Sequence, residues 1–492
     1  MKRIMISLAA VLLFTCVAAA CAKKRPENTV SGIGTSDTAV TSGDGRYSAN
    51  VPEISYDGAT FIVMARSRDA HWGEWAIASD GYDGGTLNDA TYDRNLWVAE
   101  SYDIKLEFNE IYDTTASNGI FRQKLTENSM SGDYIADICV AGLIDACNLV
   151  PSGIFVDLKS VPHIDLEAEW WQQKLNQSIK ILNKQYFAIN DMLLNDKRDT
   201  YLLYFNKTTF DNNQLEYPYS MVYDGTWTNE KLLNYIKDFG ADLNNNGYAD
   251  VEDRIAYTFY LNDTFFVGAG IKGAEVDETG LPYIVDFSQK HSDIYDVVYS
   301  LIHNDVYNTF NVRTNGNDAN LFKQVFDNGG LFMSFHMAHM MTVAQEYESV
   351  VGIVPQPKFD EAQSDYYSRA GYNGTTAVTI LSSTPDLERA GILTEVFAAE
   401  SKNYISPAFY ETLFTQRYTS DDESKDMLDI VIKSEIIDLD QVFQWGHLIV
   451  RAANAAEEVG SSISSLYGKY VQAAKNKLDS TIDEYINLSS GN

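Results

Sequence analysis

The sequence predicts an α/β protein built on parallel, doubly wound sheets. The chain has 492 residues, of which 45 % are hydrophobic, so it can bury more than one core and is long enough for two or three domains. Its N-terminal half alternates strand-like and helical segments, which is typical of a parallel sheet with crossover helices. The predicted order is strand 59–65, helix 88–102, strand 104–108, helix 119–130 and strand 136–141.

Local patterns support these elements and extend them along the chain. Residues 59–65 form an apolar run, whereas residues 104–108 alternate apolar and polar side chains with the period of a strand. Residues 184–190 predict another strand, 191–200 a polar break, and 201–210 the start of a new unit. Helical spacing predicts helices over 227–239, with Thr228 as N-cap, and over 387–400. A long amphipathic helix ends the chain, with apolar residues three or four apart: Tyr467, Val471, Ala474, Leu478, Ile482 and Tyr485.

The N-terminus has the pattern of an export signal. A basic pair precedes the apolar run 4–17, and small residues at 18–20 precede Cys21. The pattern resembles bacterial lipoprotein signals, which implies that residues 1–20 are removed and that Cys21 carries a lipid anchor. Cys16 is the rival lipidation site, and an ordinary cleaved signal or a retained membrane anchor are the alternatives. Residues 21–53 are rich in Ser, Thr and Gly and predict a flexible tether.

Charge and cysteine content restrict the class of partner and of metal site. The formal net charge is −32, and no basic stripe compensates it, so a nucleic-acid partner is not expected. Apart from Cys21 and its rival, the chain has only Cys139 and Cys147. Two cysteines cannot make a four-ligand zinc site, and their apolar setting predicts core residues, with a single disulfide as the alternative.

The loop after the first predicted strand is a candidate ligand wall. In doubly wound sheets, ligands bind beyond the carboxyl ends of the strands, which places loop 66–89 at the site. Indole faces stack on sugar rings and carboxylates accept hydrogen bonds from hydroxyl groups, so we expect a sugar-binding surface here. The alternative is that the tryptophans only anchor a long loop on the core. The candidate residues are Trp72, Trp75, Asp80, Tyr82 and Asp83.

Residues 242–253 match the spacing of an EF-hand calcium loop. Calcium needs six to eight oxygen ligands, and this spacing surrounds one point with short oxygen-bearing side chains, while Gly247 permits the sharp turn. At position 12 an Asp replaces the usual Glu and reaches less far. The alternative is an Asn- and Gly-rich turn after a helix. The predicted calcium ligands at positions 1, 3, 5, 7, 9 and 12 are Asp242, Asn244, Asn246, Tyr248, Asp250 and Asp253.

Several sequence segments resemble those of the family 1 extracellular solute-binding proteins of ABC importers, particularly the long, sugar-type lipoproteins. The first is GTWTNEKLLNYIKDF, followed by the D-x-N-x-N-G loop and DRIAY; others are LNDATYDRN, VAESYDIKLEF and VDLKSVPHIDLEAEWW. The resemblance implies a type II periplasmic-binding-protein-like fold, in which each of two lobes is a doubly wound sheet flanked by helices and a hinge joins them. It implies lobe one over 54–198 and about 366–430, and lobe two over 199–365 and about 431–492.

The same resemblance implies how the protein acts. We expect a monomer that captures a carbohydrate, most simply an oligosaccharide, and delivers it to the permease subunits of an ABC importer at the extracytoplasmic face of the membrane. The calcium would be structural. Segments that line the opposite side of the cleft or the hinge in this family supply further candidate ligand residues, namely Phe335, His336, Tyr372, Asn373 and Trp445.

No common catalytic motif is present. Nucleophile elbows, Walker loops, dinucleotide-binding glycine loops and HExxH are all missing from the sequence, and His336 and His339 lack an obvious third zinc ligand. We therefore expect no enzymatic activity. Three alternatives stay open: a calcium-stabilised polysaccharide-degrading enzyme, whose paired carboxylates could come from distant positions, a peptide-binding transport lipoprotein, and a cell-surface scaffold.

Overall fold

The computed structural model describes residues 45–343, 346–414 and 422–489, so Cys21, the predicted signal and most of the predicted tether lie outside the described residues. The strands are β1 (Ala59–Arg66), β2 (Ile104–Ile111), β3 (Ile138–Gly142), β4 (Tyr201–Asn206), β5 (Tyr257–Phe259), β6 (Ala274–Val276), β7 (Pro282–Ile284), β8 (Thr309–Asn311), β9 (Phe332–His336), β10 (Val351–Val354), β11 (Ser368–Arg369), β12 (Thr376–Thr379) and β13 (Glu435–Ile436). The helices are α1 (Thr86–Tyr102), α2 (Ile120–Ser131), α3 (Leu143–Leu149), α4 (Gln173–Ser178), α5 (Asn195–Arg198), α6 (Lys207–Asn212), α7 (Tyr219–Tyr223), α8 (Asn229–Ile236), α9 (Thr264–Gly268), α10 (Gln289–His303), α11 (Asn320–Asp327), α12 (Met337–Val343), α13 (Leu387–Phe414), α14 (Asp422–Lys433), α15 (Leu439–Val442), α16 (Leu448–Ala455) and α17 (Ile463–Ser489).

The first sheet has the strand order β12-β3-β1-β2. β1 pairs in parallel with both β2 and β3, as the alternating pattern predicts, and β12 adds an antiparallel strand from a distant part of the chain. Helix α13 covers one face, where Phe397 stacks on Phe61 of β1 with ring centres 6.2 Å apart. This sheet and its helices form the core of lobe one.

The second sheet has the order β10-β4-β9-β5-β8. β5 is parallel to β8 and β9, whereas β4 is antiparallel to β9 and β10. Aromatic side chains fill the core beneath it; Phe332 of β9, for example, packs edge-on against Phe210 of α6, with ring centres 5.6 Å apart. The two-lobed α/β architecture predicted above is therefore confirmed, with sheets that are mixed rather than purely parallel.

The chain passes between the two cores more often than the predicted lobe boundaries allow. Helix α13 begins in the core of lobe one and reaches the core of lobe two at Ile405, and Pro407 lies inside it near this passage. The chain then returns to lobe one from Ile437 to Leu448, and again with α17. The predicted assignment of 431–492 to lobe two differs from this arrangement because the apolar face of α17 packs on lobe one, through Tyr467, Ala474, Leu478 and Tyr485.

The predicted tether also ends earlier than residue 53. The backbone of Tyr47 donates to and accepts from the side-chain amide of Asn403, at 3.0 and 2.9 Å. Arg46 forms an ion pair with Glu400 on the same helix, α13. The folded body therefore includes an N-terminal arm, which we define as residues 45–53.

Other local predictions are confirmed, with one exception. Thr228 is the N-cap of α8, since its hydroxyl oxygen accepts from the backbone of Lys231. Cys139 and Cys147 are free and buried. The predicted strand 184–190 is wrong, because this segment pairs with other strands only through isolated bridges such as Ala188 to Val378 of β12. No helix in the described ranges combines the length and the apolar character needed to cross a bilayer.

Candidate functional site

A cavity of about 810 Å³ lies between the two lobes. It is lined from lobe one by the loop after β1, from lobe two by the end of β9, and by the segments 195–201 and 369–374 where the chain passes between the cores. Six of the predicted ligand residues meet here: Trp72, Trp75, Phe335, His336, Tyr372 and Asn373. The loop after β1, predicted from topology, and the opposite wall, predicted from the resemblance, therefore line one cavity.

Three predicted residues of the same loop lie outside the lining of this cavity. Asp80 forms a surface ion pair with Arg68. Tyr82 is 63 % exposed and donates its hydroxyl to Asp93 of α1, while the carboxylate of Asp83 accepts from the backbone of Gly85 just before that helix. These side chains stabilise the far end of the loop rather than forming the ligand wall.

Trp445 was also predicted at the cleft, and it is a core residue instead. It is 2 % exposed, stacks on Phe443 with ring centres 5.0 Å apart, and donates its indole N–H to Thr481 of α17. It is absent from the cavity lining. Its sequence context, an aromatic pair before a helical region, does not distinguish a stacking surface from a packing contact between helices.

The chain passes between the lobes at 195–201, the first passage, and at 369–374, the second passage. Glu74 fixes the loop after β1 to the first passage. Its carboxylate accepts from the backbone N–H groups of Leu194 and Asn195 and from the hydroxyl of Thr376. Burial raises the pKa of Glu74, although Arg198 and these hydrogen bonds favour the charged form. The loop that carries Trp72 and Trp75 is therefore held from both the hinge and the first sheet.

The two tryptophans have different surroundings. Trp72 is half-buried, and its ring meets His71 edge-on at 4.4 Å. Trp75 is covered by the guanidinium of Arg198, whose carbon lies 3.3 Å from the centre of the indole ring. Trp75 can offer at most one face to a ligand, whereas Trp72 has more of its surface free.

Arg369 projects from the second passage between the lobes. It is 5 % exposed and lies between the rings of Tyr201 and Tyr372, at 5.0 and 5.1 Å from their centres. Its Nε donates to Asp263 at 2.9 Å. Burial opposes the charged form of Arg369, but Asp263, Tyr201, Tyr372 and Asp199 together outweigh it, and the pKa is raised. The guanidinium is thus held rigidly at the cavity wall.

Asp199 lies where the two passages touch. Its carboxylate accepts from the backbone of Gly374 at 2.9 Å, and burial raises its pKa to about 6 despite Arg369 and Arg198 nearby. A Cβ on Gly371 would lie 2.1 Å from the Asp199 carboxylate, so only glycine permits this approach. The close contact fixes the spacing of the two passages at the cavity floor.

The histidines of β9 and α12 are neutral near pH 7. Burial lowers the pKa of His336 to about 3, and the nearby His339, Arg198 and Arg369 lower it further. Burial also lowers the pKa of His339 to about 4. His336 Nδ1 is buried without a hydrogen-bond partner in the described structure. These imidazoles therefore act as uncharged polar groups at the wall.

Arg198 and Arg369 were not among the predicted ligand residues. Arg198 lies in the predicted polar break 191–200, and Arg369 lies three residues before the predicted ligand residue Tyr372. The available signal was a pair of arginines at the points where the chain changes lobe. Such positions are buried in a two-lobed protein, and buried charges are rarely incidental.

The predicted calcium loop is folded as a tight series of turns. Asp242 accepts from the backbone of Asn245 and Gly247, and Asp253 accepts from that of Leu243 and Asp250. The side-chain amides of Asn244 and Asn246 donate to Asp250. Within the described ranges, no group of three or more His, Cys, Asp or Glu side chains is arranged to hold a metal ion.

Two mixed α/β lobes, joined by several chain passages around a ligand-sized cavity, define a two-lobed binding-protein fold of the periplasmic type. No protein-family model matches the sequence, and a search of curated proteins found no match.

Solved structures share the fold. The cyclic α-maltosyl-1,6-maltose binding protein from Arthrobacter globiformis is 14 % identical, with a TM-score of 0.55 over 86 % of this chain and 99 % of that one. The galacto-N-biose-/lacto-N-biose I-binding protein of an ABC transporter from Bifidobacterium longum is 10 % identical, with a TM-score of 0.53 over 88 % and 98 %. A cyclo/maltodextrin-binding protein is 13 % identical, with a TM-score of 0.53 over 87 % and 97 %. At these identities the likeness concerns the fold.

Proposed function

We propose that this protein captures a carbohydrate, most simply an oligosaccharide, and delivers it to an ABC importer. The observation that supports this most directly is the cavity between the lobes, where aromatic rings and hydrogen-bonding side chains converge from both cores. Sugars need both features, because their CH faces pack on aromatic rings while their hydroxyl groups exchange hydrogen bonds with polar side chains. The sugar-binding proteins with the same fold add to this support.

The mechanism follows from a ligand that touches both lobes. Trp72 lies on the loop that follows β1 of lobe one and Phe335 lies in the core of lobe two, so a ligand between them makes its full set of contacts only when the lobes are close together. Such a ligand binds the closed state better and shifts the hinge equilibrium toward it. The importer would then recognise closure.

The remaining predictions complete the proposal. We propose that Cys21 anchors the mature monomer by lipid at the extracytoplasmic face of the membrane, and that the loop 242–253 binds a structural calcium ion. The loop provides suitable oxygen atoms on the backbone carbonyl of Tyr248 and on the side chains of Asp242, Asn244, Asn246, Asp250 and Asp253. Calcium would require the amides of Asn244 and Asn246 to turn their oxygen toward the ion, since they now direct nitrogen at Asp250.

Incubation with oligosaccharides distinguishes a carrier from an enzyme. Isothermal titration calorimetry should show saturable binding, and chromatography of the same mixtures should show no product. Turnover would instead favour the polysaccharide-degrading alternative. A thermal-shift panel of peptides provides the third arm, because stabilisation by peptides alone would favour the peptide-binding alternative.

A further inference from the structure

The inner wall of the cavity carries two arginines with unused hydrogen-bonding capacity. Arg198 is 8 % exposed and Arg369 is 5 % exposed, and both contribute to the lining. Each guanidinium carbon lies over aromatic rings, that of Arg198 at 3.3 Å from the centre of Trp75 and that of Arg369 at 5.0 and 5.1 Å from the centres of Tyr201 and Tyr372. Both arginines lower the pKa of Asp199 and of His336 electrostatically, so the two guanidiniums lie near the same two side chains.

Most of their N–H groups have no partner among the described residues. A guanidinium has five N–H donors. Arg369 uses only Nε, toward Asp263, and no described residue accepts from its two terminal nitrogens. Arg198 donates through Nη1 to Gly73 and Asn195, while its Nε is buried without a partner and its Nη2 has none in the described structure. The unpartnered terminal nitrogens are open to the cavity, so a ligand can accept hydrogen bonds from them.

The nearby carboxylates leave these donors open. Asp263 binds Arg369 through Nε alone, at 2.9 Å. Asp199 accepts from the backbone of Gly374 and forms no ion pair within 4.0 Å among the described side chains. The other two arginines of the lining are paired at the rim, Arg68 with Asp80 and Arg313 with Glu457. Arg198 and Arg369 are therefore the two cationic groups whose geometry suits an acidic group on the ligand.

The acidic surface of the protein does not prevent this. A net charge of −32 repels anions at a distance and slows their approach. At physiological salt, however, charges beyond about 8 Å are largely screened, so local donors decide affinity inside the cavity. Asp263, Asp199 and Glu74 outnumber the two arginines, hence the gain comes from directed N–H groups rather than from net charge.

Resting on the proposed function, we infer that the captured oligosaccharide carries a carboxylate, as in a uronic acid, that binds against Arg198 and Arg369. The planar fork of a guanidinium matches the two oxygens of a carboxylate, and such charge-assisted pairs are shorter and stronger than neutral hydrogen bonds. The rings that fix both side chains reduce the entropy lost on binding. Neutral oligosaccharides would leave the charged donors to hydroxyl groups alone.

The test compares trisaccharides of galacturonate, mannuronate and glucuronate, each as the free acid and as its methyl ester, by calorimetry on the full mature protein. The inference expects at least one acid to bind on the order of tenfold or more tightly than its ester. Equal or tighter binding of the esters, or of a neutral trisaccharide, would overturn the inference and leave the proposed function intact. Binding of a sulfated trisaccharide in preference to every uronate would overturn the carboxylate assignment. No binding by any sugar would overturn both.

Variants assign the preference to the two arginines. Arg198→Gln and Arg369→Gln should each reduce the ratio of acid to ester affinity by about tenfold. Arg313→Gln is the matched control, because it removes a cavity arginine that is already paired, and it should leave the ratio unchanged. Arg369→Gln leaves Asp263 buried and unpaired, so this variant could unfold. In that case the affinity ratio is measured on the double variant that also carries Asp263→Asn. An unchanged ratio in folded Arg198→Gln and in either folded Arg369 variant would overturn the inference.

Discussion

The guanidinium of Arg198 lies over Trp75 at 3.3 Å from the ring centre, so one face of this tryptophan is occupied by the protein itself. The pair joins the loop after β1 to the segment where the chain first changes lobe. A cation held this close to an indole contributes about 0.5 to 2 kcal/mol. Trp75 therefore has a structural role at the hinge as well as a place in the cavity lining.

Replacing the two cavity tryptophans should separate these roles. Trp72→Ala should weaken sugar binding several-fold, because one aromatic platform contributes about 0.5 to 1.5 kcal/mol, while the melting temperature stays near that of the parent. Trp75→Ala should weaken binding and also lower the melting temperature, because Arg198 loses its support. Calorimetry and thermal unfolding measure the two effects.

Trp445→Ala is the control for this pair. It removes a large core side chain, so it should cost about 3 to 5 kcal/mol of stability. The fraction that stays folded should bind sugar as tightly as the parent. Normal stability with lost binding would contradict the placement of Trp445 in the core.

The success and failure of the site prediction have physical causes. The loop after β1 could be predicted because the carboxyl ends of parallel strands define where ligands bind, whatever the loop sequence. The burial of Trp445 could not, because it depends on α17, and both reach the core of lobe one only through long-range packing. The repeated passages of the C-terminal segments likewise depend on long-range packing, which local apolar spacing does not encode.

Chelation should lower the melting temperature if the loop 242–253 binds calcium. Asp242→Ala removes the first ligand and should abolish the response to chelator. Asp277→Ala is the matched control, since this carboxylate also accepts from backbone N–H groups in an exposed turn but is not a predicted ligand. Identical melting curves with and without chelator in the parent would refute the calcium site.

Cys21→Ser should release the protein from membranes. The prediction depends on the basic, apolar and small-residue segments that precede Cys21. Cys16→Ser tests the rival position and should leave the anchor in place. Fractionation of cells that express each variant measures the outcome, and retention of the Cys21 variant in the membrane would count against a lipid anchor.

The stability of the protein should fall between about pH 4 and pH 7. Burial raises the pKa of Glu395 to about 7, even though the indole N–H groups of Trp170 and Trp171 favour its carboxylate. An unfolded Glu titrates near about 4.3. Between these values the folded state holds a proton on Glu395 that the unfolded state has released. The stability that the protonated side chain contributes is therefore fully present below about pH 4 and is lost as the pH rises through about 7.

The Glu395→Gln variant tests whether this side chain makes stability fall as the pH rises. The variant cannot ionise, so its unfolding free energy, measured by urea at pH 5 and pH 7.5, should change less with pH than that of the parent. Glu361→Gln alters an exposed carboxylate that forms no ion pair among the described side chains, and it should keep the parental slope. A parental slope in Glu395→Gln would show that this group does not titrate in the expected range.

The N-terminal arm should contribute to stability rather than serve only as a tether. Tyr47 makes two backbone hydrogen bonds to Asn403, and Arg46 pairs with Glu400 and lies over the rings of Trp97 and Tyr404. These contacts hold the arm on α13 just before Pro407, where this helix passes from lobe one to lobe two. Partly buried hydrogen bonds of this kind contribute about 0.5 to 1.5 kcal/mol each.

Deleting residues 45–53 should therefore lower the melting temperature by several degrees. Deleting residues 31–39, an equal length of the predicted tether, should leave it unchanged. If both deletions melt like the parent, the arm has no structural role.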